Sequence, residues 1–343
     1  MLAERLASQL LSGPPARDGV AVAERMLAIQ AQDLRGARLA VRARTAGTSA
    51  ADLDRALSDE RSLIVSWLNR GTLHMIRHED YFWLHALTAP PTLPGVRRRL
   101  GQEQVSPDAA ERAVDAITRA LADDGPLTRD ELRKRIAAGG VRTEGQALVH
   151  LLALASLRGL TVRGPMRGRE QAFVLVRDWL GRSPAIDRGT ALRELARRYL
   201  AGHQPASDRD LARWAGLPLR DARAGLGAIA DQIRTREDGL LEFRRSIAPP
   251  PPPAPRLLGP FEPCLLGWAS RETVLGGHAD LITRNGMFRP FAMVDGRAAA
   301  AWTMPGGKVR LEPFAPLRAT VVRALEADAA DVRRFLAERP PAG

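Results

Sequence analysis

Residues 249 to 253 are all proline, and Ala248, Ala254 and Pro255 extend the run on either side. Proline holds φ at about −65° and has no backbone N–H, so no helix or central strand can pass through it. The stretch 249–255 is therefore a stiff, extended linker that separates two textures of sequence. After it come short strand-like runs at 264–268, 288–294, 298–303 and 309–314. Asn285-Gly286, Asp295-Gly296 and Gly306-Gly307 divide them, and such dipeptides favour tight turns. The pattern predicts a small β-barrel or curled sheet over 256–318, closed by a helix and tail over 319–343.

Before the prolines, helix-start signals recur. Ser49 precedes Asp52-Leu53, Thr128 precedes Glu131-Leu132 and Ser207 precedes Asp210-Leu211, each with the hydroxyl three residues ahead of the acid and at equal intervals along the chain. This is the pattern of a capped helix start. After Thr128 the chain predicts a helix to about Ile136, a break at Gly139-Gly140, and an apolar helix through Leu148, Leu151, Leu152 and Leu154. Two β-rich runs, 160–162 and 172–176, then flank residues 164–169, which makes a hairpin. Helix, helix and hairpin describe a winged helix, with Arg163, Arg167 and Arg169 at its basic wing. After Ser207 the plan repeats, with helices to Trp214 and from Leu219 to about Ile233, then a strand at 239–243. The first copy is irregular, because only a short helix near Leu53 precedes strands at 63–68 and 71–76; residues 21–44 would supply its missing helices. The expected architecture is α+β: winged-helix units at 1–95, 96–185 and 186–248, the linker, the β domain and the C-terminal helix.

The N-terminal region also carries the most suggestive side chains. Val22, Met26 and Ile29 recur at helical spacing, and Asp33 can cap a second helix bearing Leu34, Leu39 and Val41. Gln30 and Gln32 lie at the junction. In extended backbone residues two apart share a face, so both amides would aim at one point, with Arg25, Arg35, Arg38, Arg42 and Arg44 around it. The plainer alternative is two glutamines capping a polar turn.

Charge suggests a partner. Lys and Arg total 51 against 39 acids, a formal +12, and all but Lys134 and Lys308 of the basic residues are arginine. That balance favours a polyanion such as nucleic acid, although coding bias accounts for part of it. Cys264 is the one cysteine, which excludes an intrachain disulfide and any cysteine-based zinc or iron–sulfur site. No stretch approaches the ~20 apolar residues of a membrane span. A cytoplasmic, nucleoid-associated protein without metal or cofactor is expected.

In order and context, Gln30-Ala31-Gln32, Arg70-Gly71-Thr72-Leu73-His74, Phe261-Glu262-Pro263-Cys264-Leu265-Leu266-Gly267-Trp268, Arg289-Pro290 and Val294-Asp295-Gly296-Arg297 resemble the winged-helix DNA glycosylases of the AlkZ/YcaQ type. The resemblance covers essentially the whole chain. It implies three winged-helix units and a β-barrel forming a DNA-binding surface, with catalysis by the glutamines of a Gln-aliphatic-Gln motif, here Gln30 and Gln32. Gln32 resembles the AlkZ-like branch, since the YcaQ-like branch carries Gln-x-Asp. His74 matches the family's Thr-x-His and, with Asp33, is a supporting candidate. Arg35, Arg38, Arg163, Arg167, Arg169, Arg284, Asn285 and Arg289 are candidate DNA contacts.

Neutral amides are poor bases, so the substrate must supply its own activation. A purine alkylated at N7 or N3 is cationic and departs as a neutral molecule without a general acid. The expectation is a monomeric, monofunctional glycosylase acting on double-stranded DNA that carries alkylated purines, including bulky genotoxin adducts and crosslinks. Neither lysine neighbours the glutamines in sequence, so no lyase step is expected. The alternatives are a winged-helix transcription regulator, which would need a dimerising element, and a resistance protein that binds a genotoxin without turnover. Asp33 as a helix cap, His74 and His278 as satisfied structural histidines, and Trp67, Trp83, Trp214, Trp268 and Trp302 as core residues are the plainer readings of those positions.

Overall fold

The computed structural model describes residues 1–168, 170–245 and 250–337. Arg169, the first proline of the linker and the tail 338–343 lie outside the described residues. The chain forms two compact units: one comprises Met1–Leu53, Leu192–Trp214 and the chain from Pro218 onward, the other Asp54–Ala191 with Ala215–Leu217.

The three helix-start signals all become reciprocal caps. Asp52 accepts from the backbone N–H and hydroxyl of Ser49, whose hydroxyl accepts from the Asp52 N–H. Thr128 with Glu131 and Ser207 with Asp210 repeat the arrangement. Each satisfies donors that a helix start would otherwise leave bare. The caps open helices Ala50–Ser58, Arg129–Ala138 and Asp208–Ala215.

In the Asp54–Ala191 unit, strands Leu63–Trp67 and Leu73–Arg77 form an antiparallel hairpin, and Thr161–Arg167 with Glu170–Leu175 form another. Val65 pairs with Arg163, which joins the two hairpins. A bulge between Arg163 and Met166 lets the strands continue through Gly164-Pro165, where the composition predicts a loop. Helices Pro107–Asp124, Arg129–Ala138 and Ala147–Leu157 precede the second hairpin. Ile117, Leu121, Leu132, Ile136, Leu148, Leu151, Leu152 and Phe173 fill one core.

In the other unit, helices Leu2–Ser8, Gly19–Met26 and Leu34–Arg42 form the N-terminal part. Helix Leu219–Gly227 ends earlier than its apolar spacing predicts: successive tight turns follow, and Ile233 opens strand Ile233–Thr235, paired with Leu241–Phe243.

The C-terminal sheet is antiparallel and runs Arg310–Pro313, Arg297–Thr303, Phe291–Val294, Arg256–Leu258 in spatial order. Its outer strands do not pair with each other among the described residues, so the expected barrel is an open, four-stranded sheet. One reason is local. The strand expected at 264–268 is instead the helical turn Pro263–Leu266, because Pro263 suits a first helical position and the Glu262 side chain caps the Cys264 N–H. Asp295 and Gly296, with φ of 50° and 80°, form the two-residue turn between Val294 and Arg297. Helix Ala319–Leu336 lays Leu325, Ala329 and Val332 against Leu257, Ala292, Ala300 and Trp302.

Candidate active site

Two capped helices frame the glutamines. Asp18 caps Gly19–Met26 through the Ala21 N–H at 2.7 Å. Leu27 ends this helix at φ 61° and ψ −49°, in a γ-turn closed by the Ala28 N–H to the Met26 carbonyl at 2.7 Å, which stops helical propagation. The backbone is then extended through Ile29–Gln30, until the Asp33 carboxylate accepts from Gly36 N–H at 3.0 Å and starts Leu34–Arg42. Ile29 and Ala31 are buried, and by the two-residue alternation of extended chain the glutamines take the opposite face. Gln30 Nε2 donates to Gln32 Oε1 at 2.6 Å. Gln30 is almost covered at 7% exposure, whereas Gln32 is exposed. The pair thus consists of a held amide and a solvent-facing one.

The arginines near them in sequence divide in space. Arg35 is exposed and Arg38 half-buried on the same helix. Arg35 Nη2 lies 2.9 Å from Met304 Sδ, which brings the turn 304–308 beside the start of that helix. Arg42 and Arg44 do not ring the glutamines as expected. Arg42 is buried against Asp328, Asp331 and the Leu257 carbonyl, and Arg44 is fully buried against Glu262 and Gln9. Both guanidiniums anchor the helix from within. Arg25 is exposed and donates to the Ala201 carbonyl.

His74 lies in the 73–77 strand opposite Ser66, with 1% exposure. Its Nδ1 is 3.0 Å from the Thr72 carbonyl, an acceptor, so Nδ1 carries the proton and Nε2 is the unprotonated nitrogen. Burial, reinforced by the nearby Arg70 charge, pushes its pKa down to about 3. The imidazole is neutral at physiological pH and cannot bind phosphate as a cation.

At the hairpin 161–175, Arg163 lies flat over Phe173 at 4.0 Å and over Trp67 at 5.5 Å, and donates to the Gln171 carbonyl. Burial pushes its pKa down to about 10. It braces the hairpin base and is not at the wing tip. Arg167 is exposed and paired with Glu131. Arg284 and Asn285 are exposed at a turn closed by Gly286 N–H to Thr283 O, beside the exposed Met287, while Arg289 pairs with Glu312 at 3.2 Å. His278 stacks on Phe314 at 4.0 Å. Trp67, Trp214, Trp268 and Trp302 are buried in packing: Trp302 donates to the Leu258 carbonyl, Trp268 to that of His203, and Trp214 packs on Tyr199, whereas Trp83 is half-buried and donates to Asp80. Among the described residues no group of three His, Cys, Asp or Glu side chains could hold a metal ion, and no helix is long and apolar enough to cross a membrane.

Gly36 within the helix after Gln32, and Gly259 and Met304 against it, belong to no motif of the sequence. A glycine early in a helix was the one available signal, and its contact partner is more than 200 residues away.

The family described as DNA glycosylase AlkZ-like matches residues 23–335, and the chain belongs to it. It is 29% identical over 342 residues to the interstrand DNA cross-link repair glycosylase of Streptomyces sahachiroi, a match that spans 91% of this chain and 89% of that protein. The solved structure of the Streptomyces sahachiroi DNA glycosylase AlkZ has the same mixed helix-and-sheet fold, with a TM-score of 0.77 at 25% identity over 97% of this chain and 95% of that one.

Proposed function

We propose that this protein is a monofunctional DNA glycosylase that hydrolyses the N-glycosidic bond of cationic alkylated purines in duplex DNA, N7-alkylguanine above all. Bulky genotoxin adducts are substrates, and interstrand crosslinks are unhooked; the Streptomyces relative is named as an interstrand DNA cross-link repair glycosylase. The observation that carries this reading is the Gln30–Gln32 amide pair, held at 2.6 Å with one member open to solvent.

The chemistry follows from the pair. With an alkylated purine, the C1′–N bond breaks with its electrons moving to the base, which leaves neutral, and the sugar becomes oxocarbenium-like. A carbonyl oxygen has two lone pairs, so Gln32 Oε1 can accept from Gln30 and from a water together. That water is oriented toward C1′, adds there and releases a proton to bulk solvent. The carbonyl dipoles stabilise the developing positive charge without ionising. Asp33 acts as the cap that begins the next helix and sets the direction of Gln32.

Around this site we assign winged-helix units to 1–95, 96–185 and 186–248, each containing one of the equally spaced caps, followed by the linker 249–255, the β domain 256–318 and the C-terminal segment 319–343. The helix, helix, hairpin order after Thr128 and after Ser207 supports the second and third units. Arg35, Arg38, Arg167, Arg284 and Asn285 carry phosphate and groove contacts, and Arg289 supports them from its pair with Glu312. The protein acts as a monomer in the cytoplasm, at the nucleoid, and in self-resistance to DNA-alkylating natural products.

The decisive experiment incubates wild type, Gln30→Ala and Gln32→Ala with duplex containing one N7-alkylguanine and measures abasic sites. Release by wild type and its loss in both variants are expected. Equal release by all three would remove the proposed site, and no release by any would favour a DNA-binding regulator or a sequestering protein.

A further inference from the structure

Gly36 stands four residues beyond Gln32, and its backbone N–H is the one held by Asp33. A Cβ at Gly36 would lie 2.5 Å from the Pro260 carbonyl oxygen and 2.9 Å from Pro260 Cγ. Across the contact, a Cβ at Gly259 would lie 2.9 Å from Leu39 Cβ and 3.2 Å from the Gly36 carbonyl oxygen. Helix 34–42 and segment 259–260 therefore meet backbone to backbone, with no flexible side chain between them to absorb error.

The same segment grips the far end of the helix. Arg42 donates to the Leu257 carbonyl at 2.7 Å, and Arg44 reaches Glu262 at 2.6 Å. Between these grips Phe261 sits at φ 55°, a left-handed conformation unusual for a bulky residue, while its ring is buried against Phe288. Strained backbone of this kind persists only where its surroundings over-determine it, and it concentrates at functional sites. The Arg42 hydrogen bond and the Arg44–Glu262 ion pair hold the far end of the helix, and the glycine contact sets how closely its first turn approaches.

We infer that Gly36 and Gly259 are positioning residues for the glutamine pair: segment 257–262 clamps helix 34–42 so that Gln32, directly ahead of its first turn, is held at a fixed place relative to Gln30. This inference rests on the function proposed above. Neither glycine touches substrate; each acts through Gln32. A Cβ at Gly36 must push the helix start or the Pro260 carbonyl aside by several tenths of an ångström, and catalysis is sensitive to displacements of that order.

The test uses full-length protein and duplex with a single N7-alkylguanine, separating DNA affinity from the single-turnover rate at saturating enzyme. Gly36→Ala is expected to lower the rate about ten- to a hundredfold, with affinity within about twofold of wild type. Gly101→Ala, where an added Cβ meets open space, is expected to match wild type. The discriminating measurement repeats Gly36→Ala in a Gln32→Ala background, where it should change the residual rate by less than about twofold. The same fractional loss in both backgrounds would mean general damage and overturn the inference, as would an unchanged rate in folded Gly36→Ala. If Gly36→Ala does not fold, Gly259→Ala carries the same comparison, and failure of both to fold would make the contact a folding element only and overturn it too. An inactive wild type defeats the proposed function, whereas an active wild type with an indifferent Gly36→Ala defeats this inference alone.

Discussion

Arg44 and Glu262 form an ion pair at 2.6 Å with neither side chain exposed to any measurable degree. Arg44 also donates to the Gln9 carbonyl, the Gln9 side chain and the Ala40 carbonyl, so its donors are directed to acceptors on three residues of one unit. A desolvated pair of this kind is costly to break and of small net value when kept, because the Coulomb attraction is offset by the lost hydration of both ions.

Glu262→Gln keeps the shape and leaves Arg44 buried without its counter-charge. The expected destabilisation is about 3–5 kcal/mol, read from denaturant unfolding. The double variant Arg44→Met/Glu262→Leu, which removes both charges, should recover much of that loss. A double variant less stable than Glu262→Gln would contradict the account.

The short bond between Gln30 and Gln32 makes the two amides one unit. Each alanine substitution should lower single-turnover base release by about 100-fold, the scale for removing one preorganised polar group. The double substitution should cost little more than either single one, since residues acting together are not additive. Additive losses would show two independent roles.

His74 and His203 are both buried and bonded to backbone carbonyls, and burial pushes each pKa from the ordinary 6.5 down to about 3. The unfolded chain takes up these protons as pH falls below 6.5, while the native state refuses them until about 3. The stability contribution is thus complete above pH 6.5 and is lost as pH falls toward 3, with a slope of about 1.4 kcal/mol per pH unit for each imidazole. His74→Gln should flatten the decline between pH 6.5 and 5 by one such share in denaturant titrations.

Arg35 against Met304 brings the turn that ends at Lys308 to the helix following Gln32, a neighbour that sequence distance concealed. The proposed monofunctional hydrolysis predicts that borohydride traps no covalent protein–DNA adduct during base release, and that Lys308→Ala leaves this blank result unchanged. A trapped adduct lost in Lys308→Ala would make the enzyme a lyase as well.

The three reciprocal caps are alike in geometry, and Thr128→Ala and Ser207→Ala should each destabilise by about 1 kcal/mol. A thermal or denaturant series in which one costs nothing would mean that its helix start is held by tertiary contacts.

Much of this protein was legible along the chain because the relevant physics is local. Capping needs a hydroxyl and an acid three residues apart, so Thr128 with Glu131 and Ser207 with Asp210 announced their helices. Asp295-Gly296 announced a hairpin because both residues tolerate positive φ. The break in helix around Gln30 and Gln32 followed from Asp33 capping one helix just after another had ended, and extended backbone runs through Ile29–Gln30.

What the chain alone misjudged depended on burial or on distant partners. Arg42, Arg44 and Arg163 read as surface charge, yet Asp328, Glu262 and the rings of Phe173 and Trp67 take them into the interior. Residues 264–268 carry a strand's composition, but Glu262 and Pro263 start a helical turn there, and the sheet stays open. Only tertiary structure could bring Pro260 against Gly36, since packing between residues so far apart leaves no periodicity for sequence to display.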